Sequence, residues 1–253
     1  MKNHDTSWGQ VAGWYDELLQ GHADTYQAKV ILPNLLRLVA PRPGLKVLDL
    51  ACGQGFFSRA LASVGAEVWG VDVAPELIAL AKKASPPTIK YQIGSADRLT
   101  GLVDNFFDAV IMVLALPNIK NISGALAEGA RVLKPGGRAV VVLSHPAFRV
   151  PQASAWGWDE AIKTQYRRVD RYLSEAEVAI DMHPGGPKKI ITTTFHRPLQ
   201  VYVKAFIKAG FLVAGLEEWI SHKQSQRGPR AQAEDRARKE FPLFLAMILI
   251  KQK

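Results

Sequence analysis

The sequence predicts an α/β protein: a seven-stranded, mostly parallel, doubly wound sheet with an antiparallel last strand pair, an N-terminal helical flap and an insertion after the fifth strand. Three observations carry this expectation. Apolar runs of strand length alternate with helical patterns between residues 45 and 146. A glycine-rich turn follows the first run, where a helix should begin. The last two runs are joined by a charged connection without a clear amphipathic helix, so they pair antiparallel.

Taken in order, "LKVLDL" (45–50) reads as a strand, "FFSRALASVG" (56–65) as an amphipathic helix closed by Gly65, and "AEVWGVD" (66–72) as the second strand of a βαβ unit. "PELIALAKKA" (75–84) places proline in a first helical turn. "TIKYQIGSAD" (88–97) and "FFDAVIMVLAL" (106–116) supply the third and fourth strands. "SGALAEGARVLKPGG" (123–137) reads as a helix ended by a Pro-Gly-Gly turn, and "RAVVVLSHP" (138–146) as the fifth strand. After His145 the rhythm breaks for about fifty residues, too long for an ordinary loop, and the stretch carries Trp156, Trp158, Tyr166 and Tyr172. A helix (198–210), a strand (211–220) and a last strand (241–250) complete the pattern. The expected layout is one domain over 1–253, with a flap (1–40), a core (41–146), an insertion (147–195) and a C-terminal helix and strand pair (196–253).

Composition narrows the function classes. A chain of 253 residues, 48% hydrophobic and 22% charged, buries a full core. No apolar stretch has signal-peptide or membrane-spanning length, which leads to the expectation of a cytoplasmic protein, monomeric or homodimeric. The single cysteine, Cys52, excludes an internal disulfide, and no Cys or His pair stands at metal-ligand spacing, so no metal site is expected. The net charge of +9 suits a polyanion only if it is concentrated. Apart from Arg167, Arg168 and Arg171 and a stretch from Lys223 to Lys239 diluted by Glu234, Asp235 and Glu240, the cations are scattered. A nucleic-acid partner stays open and is not favoured.

The stretch "VLDLACGQGFF", Val47 to Phe57, focuses the search for a site. In open α/β sheets ligands bind beyond the carboxyl ends of the strands, and glycines in the first βα turn let a ligand approach the backbone and the helix N-terminus. The spacing Gly53-x-Gly55-x-x-Ser58 lacks the third glycine of the dinucleotide fingerprint. Asp49 before the turn repels a pyrophosphate and suits a ligand with an ammonium group.

These residues resemble the class I S-adenosylmethionine-dependent methyltransferases, of the small-molecule kind, from Leu45 to Pro146. "VLDLACGQG" is similar to their first motif, with Ala51 where many members have glycine. The resemblance implies an enzyme with S-adenosylmethionine as cofactor and a small methyl acceptor as partner. It places Asp49, Ala51, Gly53 and Gly55 in the cofactor turn. Asp72, ending the second strand, would take the ribose hydroxyls with Val73 beside it, and Asp97 with Ala96 would take the adenine amino group. Leu114 after the fourth strand would line the same pocket, and Tyr15 in the flap would lie over the cofactor. "FDAVIMVLALPNI" and "RVLKPGGRAVV" extend the likeness. Asp72 also reads as the N-cap of the following helix, and removing it should weaken the cofactor while sparing the fold.

Methyl transfer asks for alignment and exclusion of water, and for a base only if the acceptor loses a proton. His145, following the fifth strand at the ligand edge, is the candidate base, with His183 and His196 bordering the insertion. The aromatic insertion is expected to close over the acceptor. An RNA methyltransferase, a non-catalytic S-adenosylmethionine-binding protein and a nicotinamide-dependent oxidoreductase remain the alternatives.

Overall fold

The computed structural model describes residues 7–14, 24–182 and 189–253, so Tyr15 and His183 lie outside the described residues. A short helix, α1 (Ser7–Gln10), is followed by a π-helical turn (Gln27–Ile31) that runs into α2 (Leu32–Val39). Then come β1 (Lys46–Leu50), α3 (Phe56–Ser63), β2 (Glu67–Asp72), α4 (Pro75–Ala84), β3 (Lys90–Ile93) and β4 (Phe107–Val113). A 3-10 turn (Leu116–Asn118) leads to α5 (Ile122–Val132) and β5 (Leu133–Ser144). The insertion forms β6 (Ser154–Asp159), β7 (Thr164–Val169), β8 (Ala176–Asp181) and β9 (Ile191–His196). The chain continues as α6 (Leu199–Lys208), β10 (Phe211–Trp219), α7 (Ala231–Glu240) and β11 (Phe244–Lys251).

Seven strands form one sheet in the order β10-β11-β5-β4-β1-β2-β3. The pairs from β5 to β3 are parallel, while β11 runs antiparallel to both β5 and β10. This is the predicted architecture. Period-two alternation divides each central strand between two cores: Leu48 and Leu50 pack with α5 and α6 through Leu126 and Phe206, and Val47 packs with α2 and α3 through Leu35 and Leu61. Burying each such side chain is worth about 1.5–3 kcal/mol, so the sheet centre is the most rigid support available to a site at its edge.

Two expectations about the elements change, and the insertion gains a form. The helix predicted to be ended by the Pro-Gly-Gly turn stops earlier, at Val132, because β5 pairs with β4 from Leu133 and carries the Pro-Gly-Gly stretch as a register irregularity with Gly136 at φ 75°. The charged connection between the last two strands contains α7, whose one buried residue is Ala237; it has almost no apolar face by which periodicity would mark it. The insertion is two antiparallel hairpins, β6–β7 and β8–β9, each apart from the main sheet.

Candidate cofactor and acceptor site

The chain leaves β1 through a turn in which Ala51, Gly53 and Gly55 all take left-handed dihedrals (φ 60°, 57° and 81°). Such a conformation costs a non-glycine residue about 1–2 kcal/mol, so Ala51 is strained where glycine would be relaxed. Gly55 N-caps α3, and a Cβ there would meet the hydroxyl of Tyr91 at 2.3 Å. Gly55→Ala should therefore destabilise the fold by about 2–4 kcal/mol in urea melts, with Tyr91→Phe recovering the steric part as a favourable coupling in the double mutant. Leu114, just after β4, is also left-handed at φ 56°, which ends that strand early and turns the chain into the 3-10 segment.

Between these strand ends lies a cleft of three adjoining lobes. The first, about 280 Å³, is bounded by Ser95, Ala96, Asp97 and Asn121. It shares Ala51, Asp72, Val73, Asn118 and Ile119 with a second lobe of about 270 Å³, which adds Trp8, Gln27, Gly53, Leu77 and Leu114. The second in turn shares Trp8, Leu114 and Asn118 with a third lobe of about 350 Å³. That third lobe is walled by the residues after β5, by the β8–β9 hairpin and by Arg197 and Tyr202.

Asp72 stands where the first two lobes meet. Its carboxylate accepts the N–H of Gly53 (2.8 Å) and of Ala74 (2.9 Å), tying the glycine turn to the start of α4, whose N-cap is Ala74 rather than Asp72. Burial raises its pKa against these bonds. Each carboxylate oxygen has a second acceptor position, so two hydroxyls can still be bound. Asp97 accepts Ser95 Oγ (2.5 Å) and Asn121 Nδ2 (2.9 Å), and these bonds hold its pKa below the ordinary value. Asn121 also caps α5 by accepting Gly124 N–H at 3.0 Å.

Asp49 is not among the residues lining the three lobes. Alternation along β1 turns it to the Val47 face, where it is 2% exposed and accepts Ser58 Oγ at 2.6 Å. Burial pushes its pKa up to about 7 despite that bond, with the charge of Asp72 adding to the rise. Cys52 is likewise buried, and burial pushes its thiol well above the usual range, away from nucleophilic behaviour.

His145 does not line the third lobe either. Its Nδ1 accepts Ala147 N–H (3.2 Å), so Nε2 carries the proton and donates to Glu218 Oε1 at 2.7 Å on β10. Burial lowers its pKa, and both nitrogens are engaged in holding the end of β5. His196 does line the lobe, with Nε2 donating to the Tyr172 carbonyl at 2.7 Å. The four large aromatics of the insertion are not among the lining residues. Trp156 packs edge-on against Phe241, Arg230 lies over Trp158, and the Tyr172 hydroxyl accepts Leu199 N–H at 3.0 Å. Ile180, Met182, Thr194 and Phe195 face the lobe in their place.

Residues missed by sequence reasoning are Asn118, which touches all three lobes, together with Arg149, Arg197 and Tyr202. Trp8 was visible only as an aromatic of the flap. Half of the cations of the basic stretch are paired within the chain: Lys223 with Asp24, Arg230 with Glu160, and Arg238 with Glu234 and Asp235.

Residues 48–141 match the family model described as a methyltransferase domain. The demethylmenaquinone methyltransferase of Tropheryma whipplei (strain Twist) is 38% identical over 113 residues, 44% of this chain and 46% of that protein. The ubiquinone biosynthesis O-methyltransferase of Xanthomonas campestris pv. campestris (strain B100) is 35% identical over 132 residues, 49% of this chain and 53% of that protein. The chain thus spans about half the length of the curated relatives it matches. A crystal structure of an S-adenosylmethionine-dependent methyltransferase from Mesorhizobium loti covers 92% of this chain and 100% of its own, with TM-score 0.71 and 26% identity. The strand order, the motif-bearing turn at the end of β1 and these likenesses agree: residues 48–141 match a methyltransferase domain, and the chain has the fold of the class I S-adenosylmethionine-dependent methyltransferases.

Proposed function

We propose that the protein transfers a methyl group from S-adenosylmethionine to a small-molecule acceptor. The observation that carries this reading is the three-lobed cleft itself, two lobes around Asp72 and a third opening beside them under the insertion. Asp72 would hold the ribose with its free acceptor positions, with Ala51, Gly53, Val73 and Leu114 around it. Ala96 and Asp97 would face the adenine. Tyr15, outside the described residues, keeps its expected place over the cofactor as part of the same reading. Asp49 and Gly55 serve the site from beneath, by shaping the turn. When bound, the cofactor supplies an electrophilic methyl group on a sulfonium. The chain's own contribution is then to bind, to align the acceptor with that carbon and to keep water out.

The acceptor is small in this reading because the third lobe is bounded by side chains from β5, the hairpin and α6. Its walls from Ser144 onward lie outside residues 48–141, so the relatives' own acceptors are not carried over. The basic stretch, diluted by Glu234, Asp235 and Glu240 and half paired within the chain, gives no reason to prefer RNA. Incubation with methyl-labelled S-adenosylmethionine and a cell extract separates the classes: label should enter the small-molecule fraction with release of S-adenosylhomocysteine, and label in RNA would overturn this reading.

For an acceptor that must lose a proton, His196 is the residue in place to take it, since its Nε2–H is fixed on the Tyr172 carbonyl and Nδ1 is the nitrogen that can accept. His196→Gln should cost about 10²-fold or more in kcat while leaving S-adenosylhomocysteine affinity in place. His145→Asn should shift thermal stability and leave kcat near the parent's.

A further inference from the structure

The third lobe is electropositive. No aspartate or glutamate is among its lining residues, which include Arg149 and Arg197. Arg197 is 6% exposed, and its guanidinium donates to the carbonyls of Leu116 (3.3 Å), Ile119 (3.0 Å) and Lys120 (3.0 Å), so its charge meets dipoles and no carboxylate. The guanidinium of Arg149 takes part in no hydrogen bond or ion pair among the described residues. Arg149 and a second cation, Arg167, repel through space, and Arg167 donates to the Phe148 carbonyl at 2.8 Å and to Ser154 Oγ at 2.7 Å. Arg149 is an exposed residue of the lining; partial desolvation lowers its pKa, with Tyr26 acting in the opposite sense. An exposed guanidinium with no carboxylate partner among the described residues is available to a ligand, and its planar fork is suited to grip a carboxylate with two parallel hydrogen bonds.

We infer that the methyl acceptor is an anionic small molecule, a carboxylate with an apolar body, whose carboxylate is bound by Arg149 with Arg197 supplying the field behind it. This rests on the methyl-transfer reading of the cleft. The apolar body fits the rest of the lobe, where Ile180, Met182 and Phe195 form one wall and Trp8 and Leu114 separate it from the second lobe. Arg149 stands outside the first two lobes, so its loss should not touch the cofactor.

The test uses benzoate, 4-hydroxybenzoate, indole-3-acetate and hexanoate as probes against the matching primary amides. Each is titrated into the full chain by calorimetry and thermal shift, with and without saturating S-adenosylhomocysteine. At least one carboxylate should raise the melting temperature while its amide does not. Arg149→Gln should weaken that carboxylate at least tenfold with S-adenosylhomocysteine affinity within twofold of the parent, and Arg149→Lys should recover part of the loss. Amides binding as tightly as carboxylates, an unchanged Arg149→Gln, or no carboxylate binding at all would overturn the inference. Failure of S-adenosylhomocysteine to bind would instead overturn the methyl-transfer reading, and the carboxylate-against-amide comparison in its absence would still decide the anion site.

Discussion

Asp72→Ala is expected to weaken S-adenosylhomocysteine binding by about 2–4 kcal/mol, roughly thirty- to a thousandfold, and to lower the stability of the free protein as well. The first effect follows from losing a carboxylate at the junction of two lobes, with an acceptor position free on each oxygen. The second follows from its two backbone partners. Ala74 would lose its acceptor at a buried position, at about 1–3 kcal/mol, and Gly53 would lose its own at a part-buried one, where water offsets some of the cost. An expectation of an unharmed fold, reasonable from sequence, therefore gives way to a double loss. Asp72→Asn separates the two, because the amide oxygen keeps one backbone bond and one acceptor site. Its affinity should lie between parent and alanine. Calorimetry at matched folded fraction checks this, and an alanine variant with parental affinity would confine Asp72 to holding the turn.

The largest pH effect should come from Asp49. Its pKa is about 7 in the fold, against about 3.9 in an unfolded chain, so the folded state binds the extra proton. For an acid raised in this direction, stability is complete below about pH 4 and falls as pH rises through the window from 4 to 7. It is level above that window. About three pH units at 1.36 kcal/mol each set the scale of the loss at about 4 kcal/mol. Asp49→Asn removes the titration and keeps an oxygen for Ser58. The stability difference, variant minus parent, should grow by about that amount between pH 4 and 7 in urea melts without cofactor. A pH-independent difference would mean that Asp49 is ionised throughout.

The cofactor half of the site was legible because its signals are local. Asp72 ends an apolar run, Gly53 and Gly55 lie within the turn after β1, and each lands at a strand end that period-two and helical patterns alone can locate. The face to which Asp49 turns was also encoded, since counting alternate residues from Val47 buries it, but the chemistry of a carboxylate suggested a ligand. The acceptor half was not legible. Trp8, Arg149, Thr194, Arg197 and Tyr202 come from segments far apart in the chain, with no shared periodicity, and meet only when β9 docks on the 3-10 turn through Thr194 Oγ1 to the Pro117 carbonyl at 3.3 Å. Large aromatics were the visible feature of the insertion. Trp156 and Trp158 instead serve the packing of their hairpin beside Phe241 and Arg230, and smaller side chains on the next hairpin face the cavity.

One titration bears most directly on the methyl-transfer reading. Calorimetry of the full chain with S-adenosylhomocysteine should show saturable one-site binding that raises the melting temperature by mass action, and NAD at millimolar concentration should show neither. Binding of NAD with no response to S-adenosylhomocysteine at the same concentration would contradict the account.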